Sequence, residues 1–345
     1  GGPSRGQCSE CETGIIQLGM PAEHHQTTWC AERAITFLEL MAEKQPDQPW
    51  FFSCNIFDPH HPFDPPEELL EAYMDRLEAL PLPNYEEGEL DNKPQHQQAF
   101  HDKAQQWETP EGLLFDRMSK RQHRLVRAAY YAMVDLVDQQ VGRILQALEE
   151  SGQRDETLVI FMSDHGESLG DHGMYWKKYH LYEENIRVPL IMSWPGMRPK
   201  RKRVQEFAEL VDIVPTIYDA IGTSKPEWLQ GQSWWNFLNG GDPVQRDFAY
   251  AELCVDQPGR EFRDMSMVRT EQHKLIRGWT RPVGEKKTNE EGELYDLHDE
   301  ARERVNHWND PAYAAVQRNL EAMMTHRRNA VATARISNTE KPHAW

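Results

Sequence analysis

An uninterrupted apolar run, residues 157–162 (TLVIFM), opens directly onto Ser163-Asp164-His165-Gly166, and this junction constrains the chain more than any other feature. A β-branched and apolar stretch of that length, without polar alternation, fits a strand buried on both faces. Ligands in open α/β sheets gather beyond the carboxyl ends of such strands, which is where Asp164 and His165 fall. A carboxylate beside an imidazole can bind a divalent cation through oxygen and nitrogen. From the dipeptide alone, a capped strand-to-helix turn in which Asp164 accepts backbone N–H groups accounts for the pattern at least as well.

The flanking sequence alternates helix and strand. Ala31, Ala34, Ile35, Leu38 and Met41 make one helical stripe, and Pro49 then introduces residues 50–57 (WFFSCNIF), a short apolar run of the kind a buried strand uses. Residues 84–119 are rich in Glu, Gln, Asp and Pro with little periodicity, and predict a long surface excursion that can shape a substrate pocket. Strong helical patterning returns over 121–150, stopped by Gly152; residues 188–194 predict another strand, and 209–221 another helix, stopped by Gly222. After Gln245 the texture changes to short strand-like pieces at 248–253, 265–276 and 293–297, followed by a helix from Pro311. The expected architecture is therefore an α/β domain over 1–244, a mostly parallel sheet sandwiched by helices, with a smaller α+β subdomain over 245–345 made of an antiparallel sheet and a packed helix.

Composition narrows the partners. The chain has 345 residues, is 39% hydrophobic with 11 Trp, and carries a formal charge of −18. It is too rich in core formers to be disordered and too acidic for general binding to nucleic acid or an anionic membrane surface. An anionic substrate must meet a local positive site. The one concentrated basic run, Lys200-Arg201-Lys202-Arg203, reads as a solvated loop. No apolar run reaches the length of a membrane span. Of the five cysteines, Cys8 and Cys11 have metal-ligand spacing, but no second pair completes a tetrahedral zinc site. Neither compartment nor oligomeric state follows from these residues.

Two further segments carry candidate chemistry. Asp58-Pro59-His60-His61-Pro62-Phe63 places two imidazoles between prolines that restrict the backbone; such a pair can bind an anion or donate a proton, although paired histidines more often serve surface or packing. Lys177-Lys178-Tyr179-His180 supplies ammonium groups that can bind an oxyanion, or an ordinary basic turn. Asp, His and Lys at strand ends are what metal-assisted hydrolysis of an anionic ester needs.

The run 157–173 (TLVIFMSDHGESLGDHG), then Lys177, Tyr182-Glu183, Arg187 to Ile191 and Trp194-Pro195-Gly196, closely resembles the type I sulfatases of the alkaline phosphatase superfamily. The resemblance extends to Pro59-His60-His61-Pro62-Phe63, Tyr131 to Asp138 with Val141-Gly142, Val211 to Thr216 and Gly292 to Leu297, over about residues 27 to 320. It implies that Asp164 and His165 complete a calcium-type metal site, that His60 contacts the sulfate and the leaving-group side, that Lys177 (or Lys178, counted back from Glu183) binds the sulfate, and that His180 is a second sulfate contact. The family's nucleophile is a formylglycine made from a Cys/Ser-x-Pro-Ser-Arg motif, and an Asp-Asp pair supplies the other metal carboxylates. Neither is present here, since Gly1-Gly2-Pro3-Ser4-Arg5 has Gly at the nucleophile position and lies too close to His60. The expectation is a sulfatase acting on a small-molecule or carbohydrate sulfate ester, its first portion missing from this chain and the chain inactive alone. Phosphonate monoester and phosphodiester hydrolases of the same superfamily, with Mn2+ or a similar ion, are the alternative, and a non-catalytic sulfatase-like binding protein is the third reading.

Overall fold

The computed structural model describes residues 16, 19–103, 114–177, 180–197, 203–256, 262–281, 289–298, 300 and 302–338. Cys8, Cys11, the Gly1–Arg5 stretch, Lys178 and Lys200 to Lys202 lie outside them.

Helix α1 (Gln26–Lys44) begins where the imidazole of His25 accepts the N–H of Thr27, and buries Ala31, Ala34 and Leu38. Residues 50–57 then run along it without joining a ladder. Phe52 stacks on Phe37 with ring centroids 4.6 Å apart, and Trp50 donates its indole N–H to Gln153 at 2.9 Å. The expected buried strand is thus an extended segment. Phe51, at 75% exposure, and the half-exposed Phe57 face away from the core. A run of aromatics satisfies the sequence rule for a strand, but side-chain anchoring to α1 holds this one in place.

After α2 (Glu67–Met74) comes α3 (Gln95–Lys103), inside the region that composition marks as a surface excursion. The structure corrects that reading: His96, Gln97, Phe100 and His101 are buried. Polar residues can be buried when partners from elsewhere satisfy them, and Gln97 finds Glu293 while His101 donates to the carbonyl of Gly173. Helix α4 (Lys120–Glu150) starts at a reciprocal cap between Ser119 and Gln122 and buries Leu125, Val126, Ala128, Ala129, Ala132, Met133 and Leu136. Its small alanines let α1 and α2 approach closely, which makes this helix the spine of the main core.

Strand β1 (Val159–Met162) lies where expected and leads, through the 4-residue helix α5 (Glu183–Ile186), to β2 (Leu190–Ser193), but it is not buried on both faces: its residues are half-buried and Met162 is 50% exposed, because β2 is its one ladder partner among the described residues. The two pair antiparallel, Val159 opposite Ser193 and Met162 opposite Leu190. Among the described residues every ladder is antiparallel, and the parallel contact is an isolated bridge from Ile16 to Phe63. The α/β layering is there, but β1 returns through a folded-back loop rather than the crossover a parallel pair requires. Helices α6 (Ile213–Ala220) and α7 (Trp235–Leu238) follow, the first ending before Gly222, whose φ of 67° suits the left-handed turn.

The C-terminal texture gives a four-stranded antiparallel meander, β3 (Ala249–Asp256), β4 (Phe262–Arg269), β5 (His273–Arg281) and β6 (Asn289–Asp296), packed by α8 (Ala314–Asn338). Its strand alternation separates two faces. Val268, Leu275 and Leu294 bury against Leu320 and Met324 of α8. Met265, Met267, Ile276 and Tyr295 join the same cluster as Phe63, Leu125 and Tyr182. The C-terminal sheet therefore closes the main core with one face and keeps a smaller core against α8 with the other.

One ion pair ties the segment before α6 to the chain beyond it. Asp212, fully buried, receives both terminal nitrogens of Arg246 at 2.8 and 2.7 Å and the N–H groups of Gln232 and Glu209. Burial alone would raise its pKa, but Arg246 and these N–H groups hold the carboxyl below its ordinary value. Its stabilisation is present above the unfolded-state pKa of about 3.9 and lost as pH falls through the folded value. Asp212→Ala leaves Arg246 with only the longer contact to Glu209 at 3.6 Å and is predicted to cost about 3 kcal/mol in urea unfolding at neutral pH, a loss that shrinks below about pH 4. A cost under about 1 kcal/mol at neutral pH would show that the pair adds no more than an exposed one.

Candidate functional site

The site begins where β1 ends. Ser163 donates its hydroxyl to the carbonyl of His165 at 2.8 Å, and its N–H reaches Pro189 at 3.3 Å, so the turn stays registered on β2. Asp164 Oδ1 accepts the N–H of His165 at 3.0 Å, which is the capped turn foreseen as one reading of this dipeptide. The cap uses only one carboxylate oxygen for that bond. His165 donates Nδ1–H to the carbonyl of Gly166 at 2.9 Å, which fixes the tautomer and leaves Nε2 as the lone pair. Nε2 then lies 3.7 Å from Asp164 Oδ2, on side chains 38% and 85% exposed. An imidazole nitrogen and a carboxylate oxygen at that separation, both open to the surface, fit two ligands of a divalent cation. Gly166 is required here: a Cβ would sit 1.8 Å from the carbonyl oxygen of Glu184, against which the loop is pressed by the bond from Gly166 N–H to Asn185.

His60 comes from the turn bounded by the cis bonds Asp58-Pro59 and His61-Pro62. Its Nδ1–H donates to the carbonyl of His61 at 2.6 Å, leaving Nε2 to exchange a proton with a bound molecule. Its ring lies 6.4 Å from that of His165 and is sandwiched between Phe57 and His61. Burial lowers its pKa; Lys177 and His165 lower it further, while the His61 carbonyl and Asp164 pull the other way. His60 thus meets His165, with Asp164 beside it, and Lys177 is near enough to act on the charge of His60.

Lys177 is positioned by residues to which the sequence reading gave no role. Trp176 has a positive φ of 74°, uncommon for a side chain of that size. Its N–H is held by the carboxylate of Glu167 at 2.6 Å, its carbonyl accepts the hydroxyl of Ser168 at 2.7 Å, and its ring packs on His61 with centroids 3.8 Å apart. Glu167 also accepts the N–H of Ser168. Burial drives the Glu167 pKa up to about 7, against the pull of Lys177 and the backbone N–H groups of Trp176, Leu169 and Ser168. The available signal was the carboxylate directly after Gly166, inside the polar turn.

His180 departs from expectation. It is 1% exposed, shares a 2.6 Å hydrogen bond with the hydroxyl of Ser168, and packs on Tyr182. A ring so enclosed steadies the loop instead of meeting a substrate at the open face where Asp164 and His165 stand. Among the described residues Cys30, Cys54 and Cys254 are free thiols, and no helix is long and apolar enough to cross a membrane.

The family model described as Sulfatase matches residues 8–223, and that described as N-sulphoglucosamine sulphohydrolase, C-terminal, matches residues 170–330. The chain is 29% identical to an arylsulfatase of Clostridium perfringens over 84% of its own length and 55% of that protein's. It is 28% identical to the multifunctional alkaline phosphatase superfamily protein PehA of Trinickia caryophylli, over 87% of this chain and 58% of the relative. It thus spans little more than half the length of these curated relatives. The solved phosphonate monoester hydrolase of Silicibacter pomeroyi superposes on 94% of the chain and 66% of its own, with a TM-score of 0.73 and 24% identity, which places both in one fold. With the sulfatase model covering more than half of its residues, the chain belongs to the sulfatase family of the alkaline phosphatase superfamily.

Proposed function

We propose that the full-length protein hydrolyses a sulfate monoester of an aryl or carbohydrate alcohol, and that His60, Lys177, Asp164 and His165 are this chain's share of the catalytic site. The observation that carries the reading is the convergence of these four side chains around His60. Asp164 Oδ2 and His165 Nε2 would hold a divalent cation, calcium by family resemblance, which when bound supplies Lewis-acid polarisation of the sulfuryl oxygens. Lys177 brings a compact positive charge to an otherwise acidic chain of −18 and neutralises negative charge building on the transferring group. Because Trp176 is clamped by Glu167 and Ser168, that charge is set in place before substrate arrives, and little reorganisation is needed in the transition state. His60, its Nδ1 committed to His61, moves a proton at Nε2 to the leaving alcohol. Its lowered pKa makes the protonated ring a readier donor. The nucleophile, a formylglycine in this reading, belongs to the full-length protein, and the chain by itself is proposed to be inactive.

A second reading has its own support. The fold shared with a phosphonate monoester hydrolase supports an enzyme that cleaves a phosphonate monoester or phosphodiester, for which the same anion-binding Lys177 would serve. The two differ in the charge of the transferring group, so a direct comparison separates them. The full-length enzyme is predicted to show a higher kcat/KM for an aryl sulfate than for the matched aryl phosphonate monoester or phosphodiester, measured by release of the common phenol. The reverse order would establish the second reading.

Lysine assignment is tested in the same assay. Lys177→Ala is predicted to lower kcat/KM by roughly two orders of magnitude or more, the scale for losing a preorganised charge at the reacting group. Lys178→Ala should change it less than about three-fold. If Lys178→Ala proves the damaging change, the register of this loop on the substrate is wrong.

A further inference from the structure

Buried polar atoms in folded proteins almost always find a hydrogen bond. Among the described residues, the buried side-chain atoms that lack one include His172 Nε2 and Glu184 Oε2, and beside them lies Glu303 Oε1, which meets Lys274 at 2.7 Å. These three are not scattered: the ligand atoms of His172, Glu184 and Glu303 lie within 4.8 Å of one another. They come from three segments, the turn Asp171–Gly173, helix α5, and the connection between β6 and α8. His172 and Glu303 are each 1% exposed, and the Glu184 side chain 24%.

The imidazole is built for a ligand on Nε2. Its Nδ1 is 2.5 Å from Glu89 Oε1, a carboxylate 1% exposed and paired with Lys93 at 3.2 Å. Nδ1–H donates to that carboxylate, which orients the ring and directs the Nε2 lone pair at the other two acids, the carboxylate–histidine arrangement that supports metal ligands. Tyr182 stacks on the ring at 4.0 Å and fixes its plane. Nε2 and Glu184 Oε2 are 3.6 Å apart, too far for a hydrogen bond of about 2.7–3.2 Å and near the ~3.4 Å edge of a tetrahedron with metal–ligand bonds of ~2.0–2.1 Å.

Charge leads to the same place. Glu89, Glu183, Glu184, Glu293 and Glu303 face Lys93, Lys274 and Arg269 in this region. Lys274 lies 2.7 Å from Glu303 Oε1 and 3.3 Å from Glu183, and Glu303 Oε2 accepts the N–H of Glu183 at 2.8 Å. Lys274 therefore takes one side of the Glu303 oxygen and offsets one acid. Among the described residues named here the carboxylates outnumber the cations, a balance that a bound cation would improve.

We propose that His172 Nε2, Glu184 Oε2 and Glu303 Oε1 form a second divalent-cation site, distinct from Asp164 and His165, which pins the loop carrying Lys177 to the C-terminal sheet. One imidazole and two carboxylates suit Zn2+ or Mn2+ better than calcium, which seeks more oxygen ligands. This inference does not rest on the sulfatase reading.

The test uses the 345-residue chain stripped with EDTA and titrated with Zn2+ by calorimetry, with thermal melting and the visible spectrum of the Co2+-loaded protein as independent readouts. Wild type and Asp164→Ala are both expected to bind one ion at this site, with a raised melting temperature and a Co2+ spectrum of low coordination number. Glu184→Gln, partly exposed and therefore tolerable to the fold, should weaken binding roughly ten-fold or more, as should His172→Gln if it folds. The proposal is overturned if folded wild type binds neither Zn2+ nor Mn2+, if Glu184→Gln binds like wild type, or if Asp164→Ala removes the binding.

Discussion

The site depends on a half-buried carboxylate in the middle of the Gly166 to Lys177 turn. Glu167 accepts the N–H groups of Trp176 and Ser168, and Ser168 returns its hydroxyl to the carbonyl of Trp176. An enclosed carboxylate without donors would cost several kcal/mol, so the loop must fold back until backbone N–H groups reach it. That folding presents Lys177 toward the end of β1 and sets the Trp176 ring against His61, which in turn carries His60. One acid thus fixes the positions of two functional groups from opposite ends of the domain.

Around that turn the protein uses buried polar pairing where the sequence gives little warning of it. Tyr182 donates to Gln97 or Glu293 at 2.7 Å, Lys93 reaches the carbonyl of Glu303, and Lys274 is fully buried beside Glu303. Glu293 of β6 receives both Tyr182, from the segment after Lys177, and Gln97 of α3, so the C-terminal sheet supports that segment instead of merely following it. Low dielectric makes such networks costly when incomplete and rigid when complete.

Local chemistry was legible in the sequence, and long-range pairing was not. An apolar run ending in Asp164-His165 reads as a strand feeding a polar turn because both signals lie within a few residues, and the structure has that junction. The helices over α1 and α4 follow from periodicity, and the C-terminal antiparallel sheet from its short strand-like pieces, although residues 265–276, read as one piece, hold the end of β4, a turn and the start of β5. Residues 84–119 read as surface because Gln97 and His101 are polar, and their burial depends on Glu293 and Gly173, far along the chain. Residues 50–57 look like a strand because aromatics suit one, yet Phe37 and Gln153 hold the segment without a ladder. His180 stands beside two lysines in sequence, but its partner Ser168 draws it inside. Composition reports what a residue prefers, and only the fold reports which partner it meets.

The central claim is that His60, Lys177, Asp164 and His165 form one face of a single sulfate-ester site. A crystal structure of the full-length protein with a bound aryl sulfate tests it most directly. The account predicts sulfuryl oxygens within hydrogen-bond distance of Lys177 Nζ, the bridging oxygen facing His60 Nε2, and a cation on Asp164 Oδ2 and His165 Nε2. A sulfate held away from these four residues, with Asp164 and His165 ligating nothing, would contradict it.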